Sequence, residues 1–297
     1  MTRFLLALAM LFAAHPAAAA VKVVTTTQDL AAIVQAVGGS DVSVSSIARG
    51  DLDPHFVDAK PSFMVKLASA DLVVAVGLEL EIGWLPSLLT GSRNPKVQPG
   101  AAGYLDASAA VSPIEKPTGA IDRSRGDIHP LGNPHYWLDP ENGRKVARLV
   151  AQKLTALDAA HSADYANNLA TFEATLTQKE SGWTAKMAPL RDANVVGYHS
   201  TFDYFCAAYG LHVVGFVEPK PGIPPTPAHT LEISAKAKEA KVSVVLVEPY
   251  HSPSGAKSIA DAAGARVVVV PTSVGSATGI VSYFDLFDHI VASLTGA

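Results

Sequence analysis

Three histidines stand where this chain could do chemistry: His55 in DLDPHFVDAKPS, His135 in GNPHYWLDP and His199 in GYHSTFDYF. Each sits where strand-like sequence gives way to a loop, or just ahead of a long helical stretch. A neutral imidazole suits zinc, with Zn–N bonds of about 2.0–2.1 Å, and three of them leave one tetrahedral position open. A histidine behind a strand is as readily a cap or a surface residue. The three are also far apart in sequence, so their spacing carries no metal signature of its own. Whether they meet depends on the elements that carry them.

Those elements read as a repeating strand–helix order. Val21–Thr26 is a β-branched run of strand character, with Asp29 behind it as a candidate helix N-cap and Leu30–Val37 as a helical pattern stopped at Gly38-Gly39. Asp41–Ile47 alternates like a strand, Ser62–Ala70 is helical, Asp71–Val76 is an apolar strand and Trp84–Thr90 is helical. From Gly91 to Pro134, Pro, Gly and Ser predict loops around one short strand. Glu141 to Leu190 then reads as a long helical region with one break near Ala160–Ser162, better suited to a connector between lobes than to a crossover helix.

The second half repeats the order of the first. Asn194–Tyr198, His212–Val217, Val242–Val247 and Ala265–Val270 read as strands, and Thr201–Tyr209, Leu231–Ala240, Ser254–Ala263 and Tyr283–Leu294 as helices. The expected fold is α/β: two similar lobes, each a parallel sheet flanked by helices, joined by a long rigid helix. The lobes are placed at 21–140 and 192–297, with 141–191 as the connector. In open parallel sheets ligands gather outside the carboxyl ends of the strands. One histidine from each lobe and one from the junction would meet there.

Residues 1–20 read as a secretory signal peptide: Arg3 at the start, Phe4 to Ala13 apolar, and Ala17–Ala20 as the small-residue cleavage site. The apolar run is shorter than the roughly 20 residues a membrane span needs. No cysteine lies near the cleavage site, so lipid attachment is not expected, and the single Cys206 cannot form an internal disulfide. A periplasmic protein whose own core holds it together, without a disulfide framework, is the expectation. The net charge of −4 gives no electrostatic case for nucleic acid. No G-x-G-x-x-G, Walker, G-x-S-x-G or H-E-x-x-H pattern occurs, and Ser200 beside His199 has no support as a nucleophile.

Four segments, in order, resemble the ZnuA/TroA-like family of zinc- and manganese-binding proteins of ABC importers. DPHFVDAKPSFMVKLASADLVVAVG is similar to the family's first-ligand segment, NPHYWLDP to its second-ligand motif, YHSTFDYFCAAYGL to its third, and VVLVEPYHS to a later strand with its Glu-Pro. The resemblance implies a metal held between two lobes by His55, His135 and His199, and limited closure on binding. It also implies delivery to an inner-membrane ABC permease by a binding protein, not an enzyme, working as a monomer. A histidine in the third place, where manganese binders of the family often carry a glutamate, favours Zn(II) over Mn(II), in line with ligand softness.

One part of the pattern is broken. The family commonly supplies a carboxylate just after the last strand, and here VVVVPTSVG places Thr272 and Ser273 there. Glu218, on a loop stiffened by Pro219, Pro221, Pro224 and Pro225, is the preferred replacement. Glu248 is the alternative, either as ligand or as a group that orients a ligand imidazole, and water is a third. The histidine-rich loop of many zinc-specific relatives is reduced to His129, which leaves room for a separate periplasmic metal chaperone. His129, His229 and His251 read as loop-surface residues. His129 is the one to test, because DIHPLGNPH brings it near His135. Trp84, Trp137 and Trp183 read as packing residues. A zinc hydrolase using the same histidines with Glu218 or Glu248 as general base, or a surface-interaction protein that retains the fold, are the competing readings.

Overall fold

The computed structural model describes residues 20–117 and 129–296, so the leader read over residues 1–20 lies outside them but for Ala20, as does the central part of the loop before His129. The β-branched runs form two four-stranded sheets, parallel throughout. The first contains β1 (Val21–Thr25), β2 (Val42–Ser46), β3 (Leu72–Ala75) and β4 (Tyr104–Asp106), in the order β2-β1-β3-β4. The second contains β5 (Asn194–Gly197), β6 (His212–Phe216), β7 (Val244–Val247) and β8 (Arg266–Val269), in the order β6-β5-β7-β8. Both sheets therefore start in the middle, step to one side and return across to the other. That places a topological switch point at the carboxyl end of each lobe's first strand.

Burial follows position in the sheet. The interior strands β3 and β7 are wholly buried, as expected where helices cover both faces. The edge strand β8 is half-buried to exposed. Helices α1 (Gln28–Gly38), α2 (Pro61–Ala68) and α3 (Leu85–Ser92) cover the first sheet, and α6 (Asp203–Tyr209), α7 (Pro227–Glu239), α8 (Ser254–Ala263) and α9 (Tyr283–Thr295) the second. Between them lie α4 (Pro140–Leu157) and α5 (Ser162–Met187). The lobes are similar, each a parallel sheet flanked by helices.

The helical region is two elements with different jobs. Asp139 caps α4 by accepting from Glu141 N–H, and Pro140 fills the first helical position, where no donor is needed. The chain then turns at Asp158, whose carboxylate accepts from His161 (2.6 Å) and Tyr165 (2.9 Å). Beyond this turn α5 runs 26 residues, about 39 Å at 1.5 Å per residue. Near its start Asn168 donates to Val37 O at the end of α1 (3.1 Å). Near its finish Trp183 donates to Asp288 on α9 (2.8 Å). Thus α5 is the long strut that spans both lobes, while α4 packs on α1 and α5 and meets α9 at Tyr283.

The lobes also share a core. One apolar cluster runs from Val23 and Leu72 through Leu154, Phe172 and Leu176 to Phe205, Val244 and Phe287. Asp29 belongs to this interface. The α1 cap is Thr27, whose hydroxyl accepts from Leu30 N–H, and not Asp29 as the sequence pattern suggested. Asp29 sits in the first turn, fully buried, and accepts from Ser273 Oγ (2.6 Å) and Val274 N–H (2.9 Å) of the other lobe.

Candidate metal centre

The His55 loop leaves β2 at one edge of the first sheet and is held by Trp84, whose indole donates to Pro54 O (3.0 Å). His135 lies on the loop entering α4, and His199 follows β5 by two residues. The three ring centroids are 5.2 to 5.5 Å apart, and one candidate ligand atom from each lies within 4.8 Å of the others. His135 and His199 are buried. Among the described residues this is the one such group of His, Cys, Asp or Glu.

A local device sets two of the rings. Asp53 Oδ1 accepts both the backbone N–H of His55 (2.9 Å) and its ring Nδ1 (2.7 Å). Asn133 Oδ1 does the same for His135, at 2.9 Å to each. In both, an Asx residue two positions before the histidine forms a turn through Pro54 or Pro134, and the same oxygen fixes the tautomer. His199 lacks this unit, and Glu218 Oε2 supplies its Nδ1 partner from the loop after β6 (3.0 Å). With Nδ1 taken as donor in all three, Nε2 is left with its lone pair. The Nε2 atoms of His135 and His199 are buried without any hydrogen-bond partner. A buried orphan acceptor is costly unless a ligand satisfies it.

Electrostatics suit a cation. Burial, followed by the neighbouring His55, His199 and His129 rings, holds His135 well below the ordinary imidazole range, so it stays neutral and able to ligate. Burial acts against ionisation of Asp53, yet its hydrogen bond to His55 keeps its carboxyl below the usual value. Asp53 and Glu218 therefore place two carboxylates behind the imidazoles, enough to balance a dication.

The proposed fourth ligands are placed elsewhere. Glu218 spends its Oε2 on His199 Nδ1 and on Gly222 N–H (3.2 Å), and it is not in the convergent group. Glu248 is fully buried behind His199 and Thr201, and its carboxyl is pushed up to about 8 chiefly by burial. After β8, Thr272 O accepts from the Trp137 indole (2.9 Å) and Ser273 is committed to Asp29. His251 stacks on Tyr198 with centroids 4.1 Å apart, and His229 contacts Phe216 O at 3.0 Å. His129 differs from both: its Nε2 lies 3.1 Å from His55 Nε2. Trp84, Trp137 and Trp183 are all buried in the apolar clusters. Sequence reasoning missed Asp53 and Asn133, although the repeated Asx-Pro-His spelling of DPH and NPH was there to be read.

Comparison with known proteins gives the family. The manganese ABC transporter substrate-binding lipoprotein PsaA of Streptococcus pneumoniae is 28% identical over 232 residues, covering 76% of this chain and 71% of its own. The high-affinity zinc uptake system protein ZnuA of Yersinia pestis is 24% identical over 283 residues, covering 88% and 86%. A crystal structure of ZnuA superposes with a TM-score of 0.77 at 23% identity, covering 94% of this chain and 99% of that one, and so shares the fold. The family described as zinc-uptake complex component A periplasmic matches residues 23–297. The chain belongs to that family, as a metal-binding substrate-binding protein of an ABC transporter and not an enzyme.

Proposed function

We propose that this protein captures Zn(II) in the periplasm with His55, His135 and His199 and hands it to the inner-membrane permease of an ABC importer. The observation that carries the reading is the convergence of three imidazoles whose Nδ1 atoms are already bonded, leaving the Nε2 atoms to the ion. An all-nitrogen set favours zinc over manganese, which prefers carboxylate and water oxygens. In this reading Glu218 orients His199 and raises its basicity, a part that the sequence suggested for Glu248, with Glu218 preferred as a ligand. The leader is removed at Ala20 without lipidation, and the protein works as a monomer, with or without a periplasmic metal chaperone. The lobes at 21–140 and 192–297 close only slightly around the ion, because α5 and the shared core join them over a broad area.

Titration of the metal-free mature protein with zinc and manganese tests the reading. We expect one zinc per chain, bound more tightly than manganese. His55→Ala, His135→Ala and His199→Ala should each weaken zinc by about 100-fold or more, beyond the 10- to 100-fold typical of losing an outer partner. Wild-type affinity in all three variants would place the site elsewhere.

A further inference from the structure

We infer that His129 is the fourth protein ligand, so that the captured ion is held by four imidazoles and no carboxylate; this rests on the three-histidine reading above. His129 Nε2 faces His55 Nε2 at 3.1 Å, with ring centroids 5.2 Å apart. Two nitrogens bound to one tetrahedral zinc at about 2.05 Å are separated by about 3.3 Å. The observed pair is close to one edge of such a tetrahedron.

The His55 tautomer strengthens the case. His55 gives its Nδ1 proton to Asp53, which leaves a lone pair on Nε2. The atom facing it is His129 Nε2, the nitrogen a metal would take. Bound to one ion, both nitrogens would turn their lone pairs to the metal and not to each other. The rest of the local chain fits: Gly132 N–H donates to His129 O (3.1 Å), closing a turn that leads directly into Asn133, Pro134 and His135. Like Glu218, His129 stands outside the convergent group of three: its ring is 6.4 Å from His135, about 1 Å more than the other pairs, and it must move inward as the ion arrives.

Among the described residues, the carboxylates considered for the fourth place stand behind the imidazoles or are missing. Glu218 holds His199, Glu248 lies behind the His199 backbone, and the segment after β8 offers Thr272 and Ser273 in place of a carboxylate. The consequence is selectivity. Four imidazoles suit Zn(II), Cu(II), Ni(II) or Co(II) and give manganese none of the oxygen ligands it prefers.

The experiment compares wild type, His129→Ala, His129→Asp and His135→Ala by zinc titration and by the visible spectrum of bound Co(II), which is intense for four-coordinate and weak for water-rich six-coordinate sites. Expected are an intense spectrum for wild type, and for His129→Ala a bleached or shifted one with zinc affinity down by about 10- to 100-fold. His129→Asp should move the zinc-to-manganese preference toward manganese. If His129→Ala keeps the wild-type cobalt spectrum while His135→Ala loses metal, the His129 assignment is overturned and the three-histidine site stands. The His129 assignment is overturned equally if affinity falls but the spectrum does not change. If His135→Ala also binds like wild type, both readings fall together.

Discussion

A single oxygen does two jobs at Asp53 and at Asn133, accepting a backbone N–H and a ring N–H of the histidine two residues on. The proline between them restricts the turn, so the ring is set before any metal arrives. Asp53 adds a charge that Asn133 does not. Asp53→Asn should keep the turn and cost zinc about 10-fold, whereas Asp53→Ala, losing turn and charge together, should cost about 100-fold. Glu218→Ala belongs to the same class: affinity falls by about 10- to 100-fold while the number of ligand atoms seen by X-ray absorption stays the same. A reduced coordination number in Glu218→Ala would make it a ligand instead.

Among the elements, α4 shows how a helix accepts a poor residue for the sake of a neighbour. A Cβ on Gly143 would lie 2.2–2.4 Å from the Tyr283 ring and hydroxyl. That close approach lets Tyr283 donate to Trp137 O and steady the turn behind His135. Gly182 on α5 is exposed and has nothing within 4 Å of such a Cβ. The same substitution should therefore act in opposite directions. Gly182→Ala should stabilise by up to about 1 kcal/mol through helix propensity. Gly143→Ala should destabilise by about 1–2 kcal/mol, as overpacking exceeds that gain. Urea unfolding of the two metal-free variants checks the pair, and equal signs would show that Tyr283 moves aside freely.

At the scale of the whole molecule, Asp29 is the polar latch between lobes. Burial raises its carboxyl to about 6, against the lowering effect of Ser273 and Val274. A raised acid contributes stability that is fully present below about pH 4 and lost as pH rises through about 6. Moving a carboxyl from about 4 to about 6 corresponds to about 3 kcal/mol between those limits. Asn in its place can still accept from Val274 N–H and pair with Ser273 without titrating. Asp29→Asn should therefore gain on wild type between about pH 4.5 and about pH 7.5, measured by chemical denaturation of the metal-free protein. A gap that shrinks with pH would mean the ionised latch is worth more than its burial costs. Buried His135 works in the opposite sense: its depressed value gives stability that is lost as pH falls below the ordinary imidazole range.

What the sequence determined by itself is local. Strand runs such as VVLV and ADLVV, helix stops such as Gly38-Gly39, the ligand contexts DPH, NPH and YHS, and the family order all depend on residues near one another in the chain. So the paired βα lobes were legible, and the three histidines could be named as candidates. Tertiary structure decided the rest. Asp29 reads as a cap by its position, but its partners lie 244 and 245 residues away. Glu218 reads as a candidate ligand because its loop is stiff; only the pairing of β5 with β6 brings its Oε2 to His199 Nδ1. The helical region reads as one connector, and only packing shows that α5 is the strut between the lobes while α4 packs on α1 and against Tyr283. His129 reads as a surface residue in a polar loop until the fold sets it against His55, 74 residues distant. Local periodicity reports which face a residue is on. Which group it meets there is settled by contacts that no sequence window contains.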